Sequence, residues 1–301
     1  MNWREVWREH VKKTGDFWVD RSYDRYQKID EKERQLILRK KVLLKKRSAQ
    51  VVKATVNGRL VGQQSVGDET HVNYRHHTAL LVKQGDDHFY MEEQDVEKRG
   101  IIQGDQLKKE TTLTQEKSNE NRMRIELPGN YTKSGRSQRF TYDRSAAVKY
   151  AERWWNSRNP AYRSFDVDCT SYVSQCLHAG GAPMVGQGNK SKGWWYSSGK
   201  AYSYSWAVAH ALRWYLSSDG NVLNAVEVEN PEQLVPGDVI CYDFNGDDHW
   251  DHNTIVTGQD WYGMPLVNAH SIDSRNRYWA YEDSPAYTDN IQYKLFHIDA
   301  D

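Results

Sequence analysis

Residues 167–177, Val167-Asp168-Cys169-Thr170-Ser171-Tyr172-Val173-Ser174-Gln175-Cys176-Leu177, closed by Gly180-Gly181, decide the reading of this chain. Asp168 is the residue type that caps a helix start, because its carboxylate accepts the N–H groups that the first turn leaves orphaned. Cys169 then falls at the first helical position, where the positive helix end favours thiolate over thiol. The glycine pair ends the helix. Cys169, Tyr172, Val173, Cys176 and Leu177 also recur at the spacing of an ordinary core-facing stripe, in which free cysteine is a common filler. Position separates the two thiols: Cys176 lies two turns further in, beyond the end charge, and reads as packing. Seven residues at about 1.5 Å rise set their Cα atoms on the order of 10 Å apart, too far for a disulfide.

Working outward, the run Asp168-Cys169-Thr170-Ser171-Tyr172-Val173 resembles the Asp/Asn-Cys-small-small-aromatic-Val box of NlpC-type endopeptidases and CHAP amidohydrolases, which are papain-like thiol enzymes. More closely, the chain from about Tyr142 onward resembles the amidase domain family of Bacillus-type bacteria. The stretches YDRSAAVKYAERWWNSRNPAY, DCTSYVSQCLHAGGAPM, YSWAVAHALRWYL, PGDVICYD, DHNTIVTG and LVNAHSID carry that likeness in the family's order. It implies a papain-like or NlpC-like domain, a nucleophile helix packed on an antiparallel sheet, with no metal or organic cofactor.

The remaining chain sets the frame. A length of 301 residues is more than one core usually serves, so two domains are expected. With 38% hydrophobic and 27% charged residues and no apolar run long enough to span a bilayer, no membrane partner is expected. Met1 to Trp7 is amphipathic and unlike a signal peptide, and three cysteines suit thiols better than a disulfide framework. A cytoplasmic or spore-associated protein follows. Residues 1–47 hold 15 Lys/Arg against 8 Asp/Glu, but Val42, Leu43 and Leu44 interrupt the basic runs, which read as a solvated helix face and not a nucleic-acid site.

The fold class read from these patterns is α+β. Residues 1–102 form an N-terminal α+β domain: helices around Trp3–Val11 and Asp30–Leu44, then an antiparallel meander, cystatin-like or NTF2-like. Val52, Ala54 and Val56 alternate up to Asn57-Gly58, a tight hairpin signal, with a return strand from Arg59 to Val66. A further strand alternates through Val72, Tyr74, His76, Thr78, Leu80 and Val82, and another starts at Phe89. His71, His76, His77 and His88 read as half-buried side chains, since His76 and His77 point to opposite faces. Residues 103–139 are polar and aperiodic, an expected linker. Residues 140–301 form the catalytic domain: a helix capped by Asp143, the nucleophile helix, an aromatic loop, a helix over Ser205–Ser217, and strands at Val239–Phe244, His252–Thr257 and Leu266–His270.

A thiolate needs a base that returns its proton to the leaving amine, and histidine suits near neutrality. His252 opens a strand, the position that the NlpC and CHAP families give their catalytic histidine; His249 is its rival. The His-x-x-His spacing of His249 and His252 lacks a helix to aim both rings at one ion, so no metal is expected. The third member orients the imidazole: Asn268, which the likeness favours, or His270, which shares a strand face with it. His270 and Asp273 match a His-x-x-Asp stretch of the amidase family that also suits substrate binding. Trp195 and Trp206 are aromatic candidates for lining a cleft or for packing. The function expected is cleavage of an amide through a thiol acyl-enzyme, the resemblance implying peptidoglycan stem peptides or another γ-linked amide as substrate. A degenerate binding or structural protein and an acyltransferase are the alternatives.

Overall fold

The computed structural model describes residues 2–19, 31–113 and 140–299. These fall into two compact units: one takes the chain up to 113 with Ile272–Ser274 and Glu282–Pro285, and the other takes 140–271, Arg275–Tyr281 and 286–299. Helix and antiparallel sheet are mixed in both, an α+β protein. Part of the second expected helix, at residue 30, and the expected linker beyond 113 lie outside the described residues.

In the N-terminal unit, α1 (Trp3–Val19) and α2 (Glu31–Lys46) precede four antiparallel strands: β1 (Ala49–Val66), β2 (Glu69–Gln84), β3 (His88–Gln103) and β4 (Gln106–Thr112). β2 obeys its alternation: Val72, Tyr74, His76, Thr78, Leu80, Val82 and Gln84 are the buried residues. Val72 and Tyr74 pack with Val6, Trp7 and Val11 of α1. The hairpin expected at Asn57-Gly58 is not there. β1 runs straight through, and the turns fall at Gly67, Gly85 and Gly104, all at φ near +60°. A Cβ at residue 58 would stand 2.6 Å from the Trp7 ring, so this glycine admits the helix and bends no turn. β4 lies in the stretch expected as linker.

An ionic network is buried in this unit. The Lys98 ammonium bonds Glu33 at 2.6 Å and Glu110 at 3.0 Å; Glu110 also accepts from Tyr74 and meets His10 Nε2 at 2.9 Å. Burial and the neighbouring Glu110 charge raise Glu33 to about 7 against the pull of Lys98. His76 beside them is driven down by burial and by Lys98, and is a neutral ring.

In the C-terminal unit, α3 (Arg144–Trp154) starts as expected, with Asp143 accepting from the Ala146 N–H at 2.9 Å. α4 (Cys169–Ala179) follows, then α5 (Tyr204–Ala207) and α6 (Ala209–Leu216). The single helix expected over 205–217 is broken at Val208, whose backbone is extended. The sheet runs β8 (Pro265–Ala269), β7 (His252–Gln259), β6 (Val239–Asp243), β10 (Gln292–Ile298), β5 (Ala225–Val228), with β9 (Asp273–Tyr278) beside β8. Both sheet faces are covered. Tyr172, Val173, Cys176 and Leu177 of α4 pack with Val239, Cys241 and Ile255 on one face; Ile240, Tyr242, Val256 and Val267 pack with Tyr281 on the other. Each fully buried side chain of that helix contributes roughly 1.5–3 kcal/mol, which fixes where the helix start lies.

Candidate active site

Cys169 is the first residue of α4 and is 2% exposed. The Thr170 hydroxyl lies 3.7 Å from its sulfur, and the Asn253 N–H and the Ser271 hydroxyl also act on the thiol electrostatically. Each holds the thiol pKa down, and the Asp168 charge pushes it up. Burial outweighs them all, so the thiol lies above its ordinary value. The expectation of a thiol lowered by the helix end is therefore reversed in this structure, because the sulfur has left water.

Asp168 occupies the cap position without capping. Its carboxylate is drawn instead to the Arg158 guanidinium at 2.7 Å and to His270 Nδ1 at 3.1 Å. His270 Nε2 lies 2.7 Å from the Trp154 carbonyl, and the ring stacks on Tyr172 at 3.9 Å between centroids. Both ring nitrogens thus face oxygen partners. Tyr172 is one turn beyond Cys169, and Asp168 and Ser271 adjoin Cys169 and His270 respectively, so the His270 ring and the thiol share one buried polar cluster.

His252 lies elsewhere. Asn253 donates to Thr170 at 2.9 Å and Ile255 packs against α4, so the strand's alternation turns His252 and Val256 to the far face. There His252 Nε2 lies 3.3 Å from the Tyr281 hydroxyl, among Tyr242 and Phe244. Burial and the Arg277 charge lower its pKa to about 3. The expected Cys169–His252 contact is corrected accordingly: the strand starts at His252, but its ring leaves the thiol.

Asn268 in β8 and His270 just beyond the strand both meet residues of α3, but Asn268 does not hold His252. It donates to Glu152 at 2.9 Å and accepts from Thr257 and the Asn276 N–H. Trp195 is buried, its indole N–H donating to the Asn189 and Lys192 carbonyls, and Trp206 is wholly buried in the core with Trp194 and Tyr196. Asp273 belongs to the N-terminal unit and meets Arg75 at 3.6 Å. His249 stacks on His210, 4.8 Å between centroids. Sequence reasoning passed over Asn253, Ser271 and Arg158. Asn253 follows the expected histidine by one residue, and that adjacency was the available signal.

Among the described residues, His10, Glu33 and Glu110 bring donor atoms within 4.8 Å of one another, the one grouping of metal-ligand type. The Lys98 ammonium already bridges both carboxylates, so the place a cation would take is filled by a side chain.

Residues 141–296 match the family model described as "Putative amidase domain", and the chain belongs to that family. It is 43% identical over 265 residues to the "Uncharacterized protein YhbB" of Bacillus subtilis (strain 168), covering 86% of this chain and 85% of the relative. It is 33% identical over 144 residues to "Uncharacterized protein YjcM" of the same organism, covering 45% of this chain and 32% of the relative. No solved structure matches it. Amide hydrolysis is the chemistry that the family description suggests. No helix among the described residues is long and apolar enough to cross a membrane.

Proposed function

We propose that this chain is a cysteine amidohydrolase in which Cys169 is the nucleophile and His270, oriented by Asp168, carries the proton. The carrying observation is the buried cluster at the start of α4: a thiol at the first helical position, in contact with the Thr170 hydroxyl, whose preceding residue Asp168 is paired with His270. The thiol passes its proton to the imidazole as the sulfur attacks the amide carbonyl, the C–N bond breaks as the amine takes that proton from the imidazole, and water hydrolyses the thioester to release the acid and restore the thiol. Delivery of that proton requires His270 Nε2 to exchange the Trp154 carbonyl for the reacting atoms. Substrates of the class expected are peptidoglycan stem peptides or another γ-linked amide, and neither needs a metal in this scheme.

The test is amine release from a panel of peptide and γ-glutamyl amides by the wild type, Cys169→Ala and His270→Ala. Turnover by the wild type that both variants lose supports the proposal; turnover that Cys169→Ala retains overturns it. A second reading has an observation of its own. No imidazole is hydrogen-bonded to the thiol, and burial raises the thiol's pKa, as in a binding protein with a degenerate site. Under that reading no amide is turned over, and Cys169→Ala binds murein fragments as tightly as the wild type.

A further inference from the structure

We propose that Arg213, buried against the rings of Trp214 and Trp250, is the centre of a binding site for an oxyanion, a carboxylate or a phosphate group. The site shares no residue with the Cys169 cluster, and the proposal goes beyond the hydrolase reading: it stands whether or not that thiol is a nucleophile.

Burial is the first observation. Arg213 lies in α6 and is only 8% exposed. Its guanidinium carbon sits 3.8 Å from the centroid of the Trp214 ring and 5.1 Å from that of Trp250. The two indoles attract the cation and offset part of its desolvation. They leave its N–H groups without acceptors. Nε and Nη1 are both buried with no hydrogen-bond partner, and so is the indole N–H of Trp250. Three donors are therefore gathered around one charge and unanswered.

Charge is the second. Among the described residues no carboxylate forms an ion pair with Arg213. Glu227 and Asp248 act on the guanidinium, but burial outweighs them and lowers its pKa. The adjoining sequence offers no counterion either: from Cys169 to Ser218 there is no Asp or Glu, against Lys190, Lys192, Lys200 and Arg213. Lys98, the buried cation of the N-terminal unit, has two carboxylates. A single buried charge is a costly group to keep. Water would answer the N–H groups and leave the charge, whereas an oxyanion answers both, and the planar guanidinium matches a carboxylate or a phosphate. Trp214 is an exposed ring, so the cation beneath it lies close to the surface that a ligand would approach.

The test is calorimetric titration of the full chain, at fixed ionic strength, with inorganic phosphate and separately with succinate, in the wild type, Arg213→Met, Arg213→Lys and Trp250→Phe. The wild type is expected to bind one equivalent of at least one of the two with a Kd below about 10 mM. Phosphate alone assigns a phosphoryl ligand, and succinate alone a carboxylate one. Arg213→Met is expected to abolish the binding. Arg213→Lys keeps the charge but loses the planar donors, and Trp250→Phe loses one donor; each is expected to weaken binding about tenfold. These two variants carry the test if the methionine chain does not fold. A wild type that binds neither anion overturns the proposal, as does binding that Arg213→Lys and Trp250→Phe both leave unchanged.

Discussion

In the N-terminal unit, Lys98 sits between Glu33 and Glu110, and Glu110 is met in turn by Tyr74 and His10; around Cys169, by contrast, Asp168 Oδ1, Asn253 Oδ1 and Ser271 Oγ are buried without a hydrogen-bond partner. Both clusters are made of carboxylates, histidines and hydroxyls, and both cost desolvation. In the first, opposite charges answer one another, so the groups tie α1 and α2 to the strands. The second leaves polar atoms unanswered next to a thiol and adds a backbone outlier. Native interiors seldom tolerate such groups unless they serve chemistry. A charge-paired cluster holds a fold together, whereas an under-satisfied one leaves polar atoms open to another partner.

The sharpest way to break this contrast is His270→Ala. Loss of the proton carrier is expected to lower amide turnover by about 10²–10⁴-fold, measured as amine release, with folding retained. An unchanged rate would reduce the His270–Asp168 pair to structure, like Lys98.

His252→Phe tests the opposite assignment, that this ring is packing. Its folded pKa of about 3 lies below the ordinary 6.5, so between these values the unfolded chain holds a proton that the folded chain lacks. Stability of the C-terminal unit therefore falls as pH drops from 6.5 toward 3, by on the order of 5 kcal/mol at the limit. Hydrogen exchange in β6 and β7 across that range is expected to show this fall in the wild type and a flatter profile in His252→Phe, with turnover changed by less than about tenfold. A far larger loss of turnover would return His252 to the chemistry.

Glu33→Gln sharpens the other side. Glu33 titrates near 7 when folded and near 4.5 when unfolded, so the folded state holds an extra proton between the two. The network's contribution from Glu33 is thus full below pH 4.5 and lost as pH rises to about 7, on the order of 3 kcal/mol at most because Lys98 and Glu110 titrate with it. Urea melts of the N-terminal unit at pH 5 and pH 8 are expected to converge in the glutamine variant. The smallest effect is at Gly58: alanine must displace Trp7, for about 1–3 kcal/mol in the same melts.

These contrasts also show what the amino-acid order reveals. α4 was legible because Tyr172, Val173, Cys176 and Leu177 keep a strict helical spacing and all four are buried. β2 was legible because one face is buried and the other is not, which writes an alternation into the residue types. β7 is buried on both faces over His252–Val256, so its start was readable and its facing was not; the polar pair His252-Asn253 gives no sign of which side chain turns to α4. Asn57-Gly58 misled for a different reason, since a glycine that admits Trp7 is spelled like one that makes a turn. Asp168 has the composition of a cap, yet Arg158 and His270 arrive from other elements and compete for its carboxylate.

The measurement that bears most directly on Cys169 as nucleophile is rapid acid quenching of the enzyme during amide turnover, followed by mass analysis of its peptides. An acyl adduct on the peptide carrying Cys169, present in the wild type and absent in Cys169→Ala, is the predicted result. Turnover with no adduct on that peptide, undiminished in Cys169→Ala, would contradict it.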